Sequence, residues 1–267
     1  MSDHLDSRPP LDPAGVQAAI ERLPGWRVEV LDRAESTNAE AARRFQEGAD
    51  EGLVVAAEHQ THGRGRLGRE WVTPARSSLT VSFLLVPDAP PERWPWLPLM
   101  AGIASASAVR RVTGVQVNLK WPNDVLAGGQ KLGGILLERV ERSGGGRAAA
   151  VVGIGINCTQ AADELPVTEA TSLALVSGGA VDRTALLAAL VEDLAEEYDG
   201  WRGGADLRAR YLDLCVTPGQ QVRVAVPGGE VAGEAVDVDE SGRLVVRTPS
   251  GEEHLGAGDV VHVRPEG

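Results

Sequence analysis

From Gln220 onward the chain alternates apolar and polar residues over short runs, QVRVAV, EVAGEAVDVDE, RLVVRT and DVVHVRP, split by Pro-Gly-Gly, Ser-Gly and Pro-Ser-Gly turns. Period-2 runs of this length, with turn residues between them, have the regular spacing of a small barrel or sandwich. Roughly fifty residues suffice for a module of SH3 size. The change of character at Pro218-Gly219 therefore places a domain boundary near residue 216 and predicts a separate β domain over 216–267.

Upstream, helix and strand signals alternate. Pro13 to Leu23 predicts one short helix within an N-terminal extension, residues 1–29. Thr37-Asn38-Ala39-Glu40 has the T-x-x-E form of a capping box, and Gly48 can stop the helix that follows. Leu53 to Glu58 and Ser78 to Val86 read as strands, and Leu97 to Val112 as a buried helix rich in small residues. Val115 to Lys120 alternates like a half-buried strand, ended by the turn Trp121-Pro122-Asn123-Asp124. Ile135 to Val140 and Ala149 to Ile156 read as strands paired around Ser143–Gly146. After Asp182, the residues Leu187, Leu190, Val191, Leu194, Tyr198 and Trp201 share one helical face. The expectation is an α/β (α+β) mixed-sheet domain over 30–215.

The bulk properties exclude several classes. No apolar run approaches the roughly 20 residues that span a bilayer. The polar, proline-rich N-terminus MSDHLDSRPPLDPAG is neither a secretory signal nor a basic transit peptide. Cys158 and Cys215 stand far apart without metal-ligand spacing, and nothing points to an oxidising compartment, so the default location is the cytoplasm. A net charge of −12 argues against a nucleic-acid partner, whose backbone needs a basic footprint. One basic run does exist: His59 to Arg69 holds three arginines and no acid. A concentrated positive site on an acidic body suits a small anion.

Four patterns could carry chemistry. In Gln60 to Arg69, glycines at 63, 65 and 68 let the backbone wrap a ligand, and Arg64, Arg66 and Arg69 supply forked donors for carboxylate or phosphate. The run fits neither the P-loop nor the dinucleotide fingerprint, and alone it reads equally well as a surface loop. Asn123 and Asp124 lie on a turn, and Lys131 precedes Gly133 and Gly134. Taken singly, these are turn formers and a solvated lysine. Ser36-Thr37-Asn38 caps a helix, with hydroxyls left for a polar ligand group. Gly153-Ile154-Gly155-Ile156-Asn157 is a glycine-punctuated strand, either making room for a ligand or packing tightly.

Taken together, these patterns resemble the biotin protein ligase family. The resembling residues are Glu35–Asn38, Glu58–Arg66 with Trp71 beyond, Lys120–Val125, Lys131–Leu136 and Gly153–Asn157, in the family's order and rough spacing. Any one is weak; five in order are highly specific. The resemblance runs from about Val30 to the C-terminus. It implies a catalytic domain of the biotin/lipoate ligase type followed by a small SH3-like β-barrel, agreeing with the composition break.

The resemblance also implies a reaction. Biotin's carboxylate would attack the α-phosphate of ATP, giving biotinyl-adenylate and pyrophosphate, and a carrier lysine would then take the biotin. Arg64, Arg66 and Lys131 would surround the meeting point of the two anions, with Mg²⁺ sharing the work. Ser36, Thr37, Asn38, Gln60, Gly63, Gly133 and Gly134 would join Arg64 and Lys131 around biotin. Arg66, Trp71, Asn123, Lys131 and Asn157 would contact ATP, with Trp71 on adenine, and Asp124 would orient or deprotonate the incoming lysine. The implied partner is a biotin carboxyl carrier protein of a biotin-dependent carboxylase; monomer and homodimer both stay open. A lipoate ligase or octanoyl transferase shares the broad fold, but GRGR and KWPND favour biotin. Members that double as repressors carry an N-terminal winged helix-turn-helix, for which Pro13–Leu23 leaves no room. His62 departs from the pattern, where a small residue is usual, and bears on the loop's mobility or pH response.

Overall fold

A computed structural model describes residues 8–263; the two chain ends outside that range contain part of the polar N-terminal run and the end of DVVHVRP. Its larger sheet has seven strands: β1 (Arg27–Leu31), β2 (Leu53–Ala57), β3 (Ser78–Leu85), β4 (Asn118–Lys120), β5 (Asp124–Ala127), β6 (Gln130–Val140) and β7 (Ala149–Asn157). Their spatial order is β1-β2-β3-β7-β6-β5-β4. Only β1 and β2 run parallel, and every later pairing is antiparallel, so the sheet is mixed.

Strand alternation decides what lies on each face. Val54, Ala56, Leu79, Val81, Phe83, Val152, Ile154 and Ile156 point into the main core. That core is closed by helices α1 (Pro13–Ala19), α3 (Trp96–Thr113) and α5 (Arg183–Arg202). Each fully buried aliphatic side chain here contributes roughly 1.5–3 kcal/mol. On the other face Leu53, Val55, Leu84, Ala149 and Val151 make a smaller cluster under α2 (Thr37–Gln46), with Ala41 and Phe45. Toward the other end of that face the same strands carry Ser78, Thr80, Ser82, Gly153, Gly155 and Asn157. The second face is therefore apolar under α2 and small or polar beyond it.

Several expectations shift by a few residues for identifiable reasons. Helix α1 stops at Ala19 rather than Leu23, and the chain tightens into i→i+3 turns, the Glu21 N–H donating to Ala18 O and the Leu23 N–H to Ile20 O. Strand β4 begins at Asn118, three residues late, because α3 runs to Thr113 and ends on Gly114 in the left-handed region (φ 73°). Asp124 is not on the turn but opens β5, opposite Lys120. Strands β6 and β7 pair as expected, Val140 opposite Ala149, although β6 starts at Gln130. Helix α5 is capped by the Asp182 carboxylate, which accepts from the Ala185 N–H, and its predicted apolar face is buried.

Two short helices, α4 (Leu173–Ser177) and α6 (Arg208–Leu214), complete the larger unit. The C-terminal strands β8 (Gln221–Val226), β9 (Gly229–Val238), β10 (Leu244–Thr248), β11 (Gly251–Leu255) and β12 (Asp259–His262) form one antiparallel sheet, ordered β11-β10-β9-β8-β12. This is the β module that the period-2 runs require. Tryptophans dock it on the larger unit: Trp96 Nε1 donates to Glu240 O at 2.7 Å, and Trp121 Nε1 to Gly242 O at 3.0 Å. Among the described residues, no helix is long and apolar enough to cross a membrane.

Candidate active site

The small and polar end of the second face is the floor of a cavity of about 390 Å³. Register makes the floor. Ser82 pairs across to Gly153, and Thr80 to Gly155, which in turn faces Gly134 on β6. The Thr80–Gly155–Gly134 row thus stays small across three strands, while the Ser82–Gly153 row ends on Leu136 of β6. Larger groups fill the space above them. A Cβ on Gly153 would lie 2.2 Å from the Asn38 amide oxygen, and one on Gly155 would lie 2.6 Å from the Trp71 indole. Only glycine leaves room for these two side chains.

At one end stands the N-terminus of α2. Its N-cap is Ser36, extended and making no capping bond with its side chain, so the expected box at Thr37–Glu40 does not form. Glu40 instead takes bonds from Arg43 and Arg44, which hold its carboxyl down at about 2 against the opposing effect of burial. The cap comes from across the cavity: Gln60 Oε1 accepts from the Thr37 N–H at 2.7 Å and from Thr37 Oγ1 at 3.1 Å. Ser82 Oγ donates to Asn38 Oδ1 at 2.6 Å, and Asn38 Nδ2 donates to Glu138 Oε2 at 2.7 Å. The Asn38 amide is thereby fixed, with the Ser36 hydroxyl left for a ligand.

The arginine run folds into a small hairpin. The Trp71 N–H donates to Gly63 O at 2.8 Å, and the Gly65 N–H to Arg69 O at 2.7 Å. Its tip carries Leu67 in the left-handed region (φ 57°) and 71% exposed. Arg64 faces Glu138 at 3.2 Å. Arg66 is more deeply set, donating to Asn123 Oδ1 at 3.2 Å and to Gly258 O at 3.1 Å. Burial pulls the Arg66 pKa below its ordinary value, opposed by Asp259 and Asp124. A guanidinium stripped of water but still charged pulls harder on an anion than an exposed one does. Arg69 pairs with Asp259 at 3.0 Å, so the first residue of β12, like Gly258 before it, grips the hairpin.

Lys131 enters from β6, near the Trp71 ring: a Cβ on Gly134 would lie 3.7 Å from the lysine Cε and the same distance from the ring. Its ammonium pairs with the Asp124 carboxylate. Its backbone is clamped to the opposite wall, the Lys131 N–H donating to Glu169 O at 2.7 Å and the Thr171 N–H to Lys131 O at 2.8 Å. Trp71 Nε1 is buried without a hydrogen-bond partner, a donor that a ligand can satisfy.

Of the residues singled out from sequence, Ser36, Thr37, Asn38, Gln60, Arg64, Arg66, Trp71, Asn123, Lys131, Gly134 and Asn157 line this one cavity. Three do not. Gly63 is glycine because a Cβ would meet Trp71 O at 2.3 Å, and Gly133 because a Cβ would meet Gly155 O at 2.5 Å. Both serve backbone packing, and Asp124 stands behind Lys131. The Asn157 amide is already engaged, donating to Thr171 O at 2.9 Å and accepting from Gln160 Nε2 at 2.9 Å, so it braces a wall. Ser82, Thr80 and Glu138 were not singled out, and Glu58 entered only as part of a motif, with no role. Polar residues at 78, 80 and 82 in an otherwise apolar strand are the signal that could have found the floor.

The profile of the biotin/lipoate A/B protein ligase family matches residues 30–157, and that of the biotin protein ligase C terminal domain matches residues 217–263. The biotin–[acetyl-CoA-carboxylase] ligase of Mycobacterium tuberculosis is 41% identical over 277 aligned positions, covering 99% of this chain and all of that protein. This chain belongs to the biotin protein ligase family. The bifunctional ligase/repressor BirA of Bacillus subtilis is 30% identical, over 88% of this ligase chain and 76% of that protein. Among solved structures, the Aquifex aeolicus biotin protein ligase in complex with biotin and ATP superposes with a TM-score of 0.76 at 28% identity. That match covers 89% of this ligase and 98% of the other chain.

Proposed function

We propose that the cavity joins biotin to ATP and passes the biotin to a lysine of a carboxylase carrier protein, with the residues above in stated roles. Family membership carries the activity, and the convergence of Arg64, Arg66 and Lys131 on one cavity carries the roles. A biotin carboxylate oxygen attacks the α-phosphorus of ATP, and the bond to the β-phosphate oxygen breaks, releasing pyrophosphate. Two anions must approach each other, so fixed positive charge in a partly dry site lowers the barrier. Lys131, turning from Asp124, and the two arginines supply it.

The ureido ring of biotin sits at the α2 end, against Ser36, Thr37, Asn38 and Gln60, with its chain over the Gly153 and Gly155 rows. The nucleotide lies toward Asn123 and the wall beside Asn157, with adenine on Trp71. Mg²⁺ would arrive on the triphosphate and share in neutralising the charge between the two anions. In the second step a carrier lysine, unperturbed pKa about 10.4, must lose a proton before attacking the mixed anhydride, and AMP leaves. Asp124, once Lys131 has turned to the ligand, receives that proton. The net charge of −12 favours this protein partner over nucleic acid, in a cytoplasmic setting. We also take 1–29, 30–215 and 216–267 as the functional units.

Incubation with ATP, Mg²⁺ and a biotin carrier domain, supplying biotin or lipoate in turn, tests the reading. A carrier mass gain with biotin alone is expected, and none with biotin rejects it. The floor can be tested separately. Gly153→Ala pushes Asn38 off its bonds, and a misplacement near 1 Å costs about 100-fold. The KM for biotin should rise by that order with the ATP KM little changed. Unaltered biotin affinity by calorimetry would remove Asn38 from the subsite.

A further inference from the structure

The wall that faces the Trp71 hairpin is a weakly structured segment. Between β7 and α4, residues 159–170 contain no strand and two short turns, Ala162–Glu164 and one closed by the Ala170 N–H on Val167 O at 3.2 Å, yet Pro166, Val167 and Ala170 line the cavity. One end is fixed by the Lys131 backbone. The other is fixed from far away in sequence. Arg8, 7% exposed, donates from Nη2 to Thr159 O at 3.1 Å and to Glu164 Oε2 at 2.5 Å. The same Glu164 oxygen accepts from the Ala161 N–H at 2.9 Å, closing the turn. Glu164 is two residues from Pro166.

The segment that carries Arg8 is itself anchored. Pro9 O accepts from Arg183 Nη2 at 2.7 Å, and the Leu11 N–H donates to Glu58 Oε1 at 2.5 Å. Glu58 lies two residues before Gln60, at the root of the arginine hairpin. Arg8–Leu11 is thus a strap tied to the roots of both walls. We propose that Arg8 is a positioning residue that sets the 166–170 wall against Lys131 and so tunes affinity for the nucleotide, leaving the biotin end and the chemical step alone. Leu11 on the same strap packs into the main core, which anchors the strap, while the buried Arg8 guanidinium bonds the turn before the wall.

This rests on the proposed placement of ATP at that end. The test uses the full chain and steady-state pyrophosphate release, varying ATP and biotin separately. Losing one charge-assisted bond to the wall should raise the ATP KM of Arg8→Ala about tenfold. The biotin KM and kcat should stay within about twofold. Arg8→Lys, whose single ammonium can reach both acceptors, should restore most of the ATP affinity. An unmoved ATP KM, or both KM values rising with kcat and melting temperature falling, would overturn the proposal. So would failure of the lysine variant to rescue a well-folded protein. A wild-type chain that releases no pyrophosphate from biotin and ATP would instead overturn the functional reading.

Discussion

Replacing Lys131 with alanine should slow pyrophosphate release from biotin and ATP by about 10²–10³-fold, the usual loss when one fixed donor to a developing charge is removed. The fold should survive. The ammonium is a third exposed and meets one partner, Asp124, itself partly exposed, and pairs of that kind contribute about 1 kcal/mol or less. The backbone clamp to Glu169 and Thr171 uses main-chain atoms and remains in the variant. The loss should fall mainly on kcat, because the two reactants repel each other most in the transition state. Arg64→Ala should lose less, since Arg64 is half exposed and its charge is more screened by water than that of Lys131. Near-normal turnover in the lysine variant would remove Lys131 from the chemistry, and a collapsed melting curve would show a structural role instead.

The sequence spoke most clearly where one local pattern suffices. The C-terminal strands follow from alternation, α5 from its apolar face after Asp182, and the basic character of the Gln60–Arg69 run from its composition, though not its hairpin form. Harder features depend on pairing. Asp124 opens a strand although aspartate is depleted in strands, because its neighbours Lys120 and Gly134 present a ladder for it to join. That Gly133 and Gly134 have different jobs needed the β6–β7 register: one packs on Gly155 O, the other opens the floor. The cap on Thr37 comes from Gln60, 23 residues away, so the local T-x-x-E signal named the right helix and the wrong partner. The side chains of Arg8, Glu58, Glu138 and Arg183 meet partners 47 to 174 residues distant, and no local signal announces such contacts.

The Glu58–Arg183 pair is where that distance carries the largest stability effect. Both side chains are 4% exposed, at 2.8 Å. Arg183 also donates to Ser78 O at 3.1 Å and to Pro9 O at 2.7 Å, while the other Glu58 oxygen serves the Leu11 N–H. A buried pair like this stabilises little over an apolar substitute, but removing one partner strands the other charge away from water, at about 3–5 kcal/mol. Arg183→Met should therefore lower the melting temperature by about 10 °C. Glu58→Met should do the same. The double variant should be no worse than either single, since no lone charge remains, and short of wild type because the Ser78, Pro9 and Leu11 backbone groups lose their partners. Chemical denaturation of the four proteins gives the coupling directly. If the two losses simply added, each side chain would be acting through its separate backbone contacts, and the ion pair would not be what joins β2, α5 and the N-terminal strap.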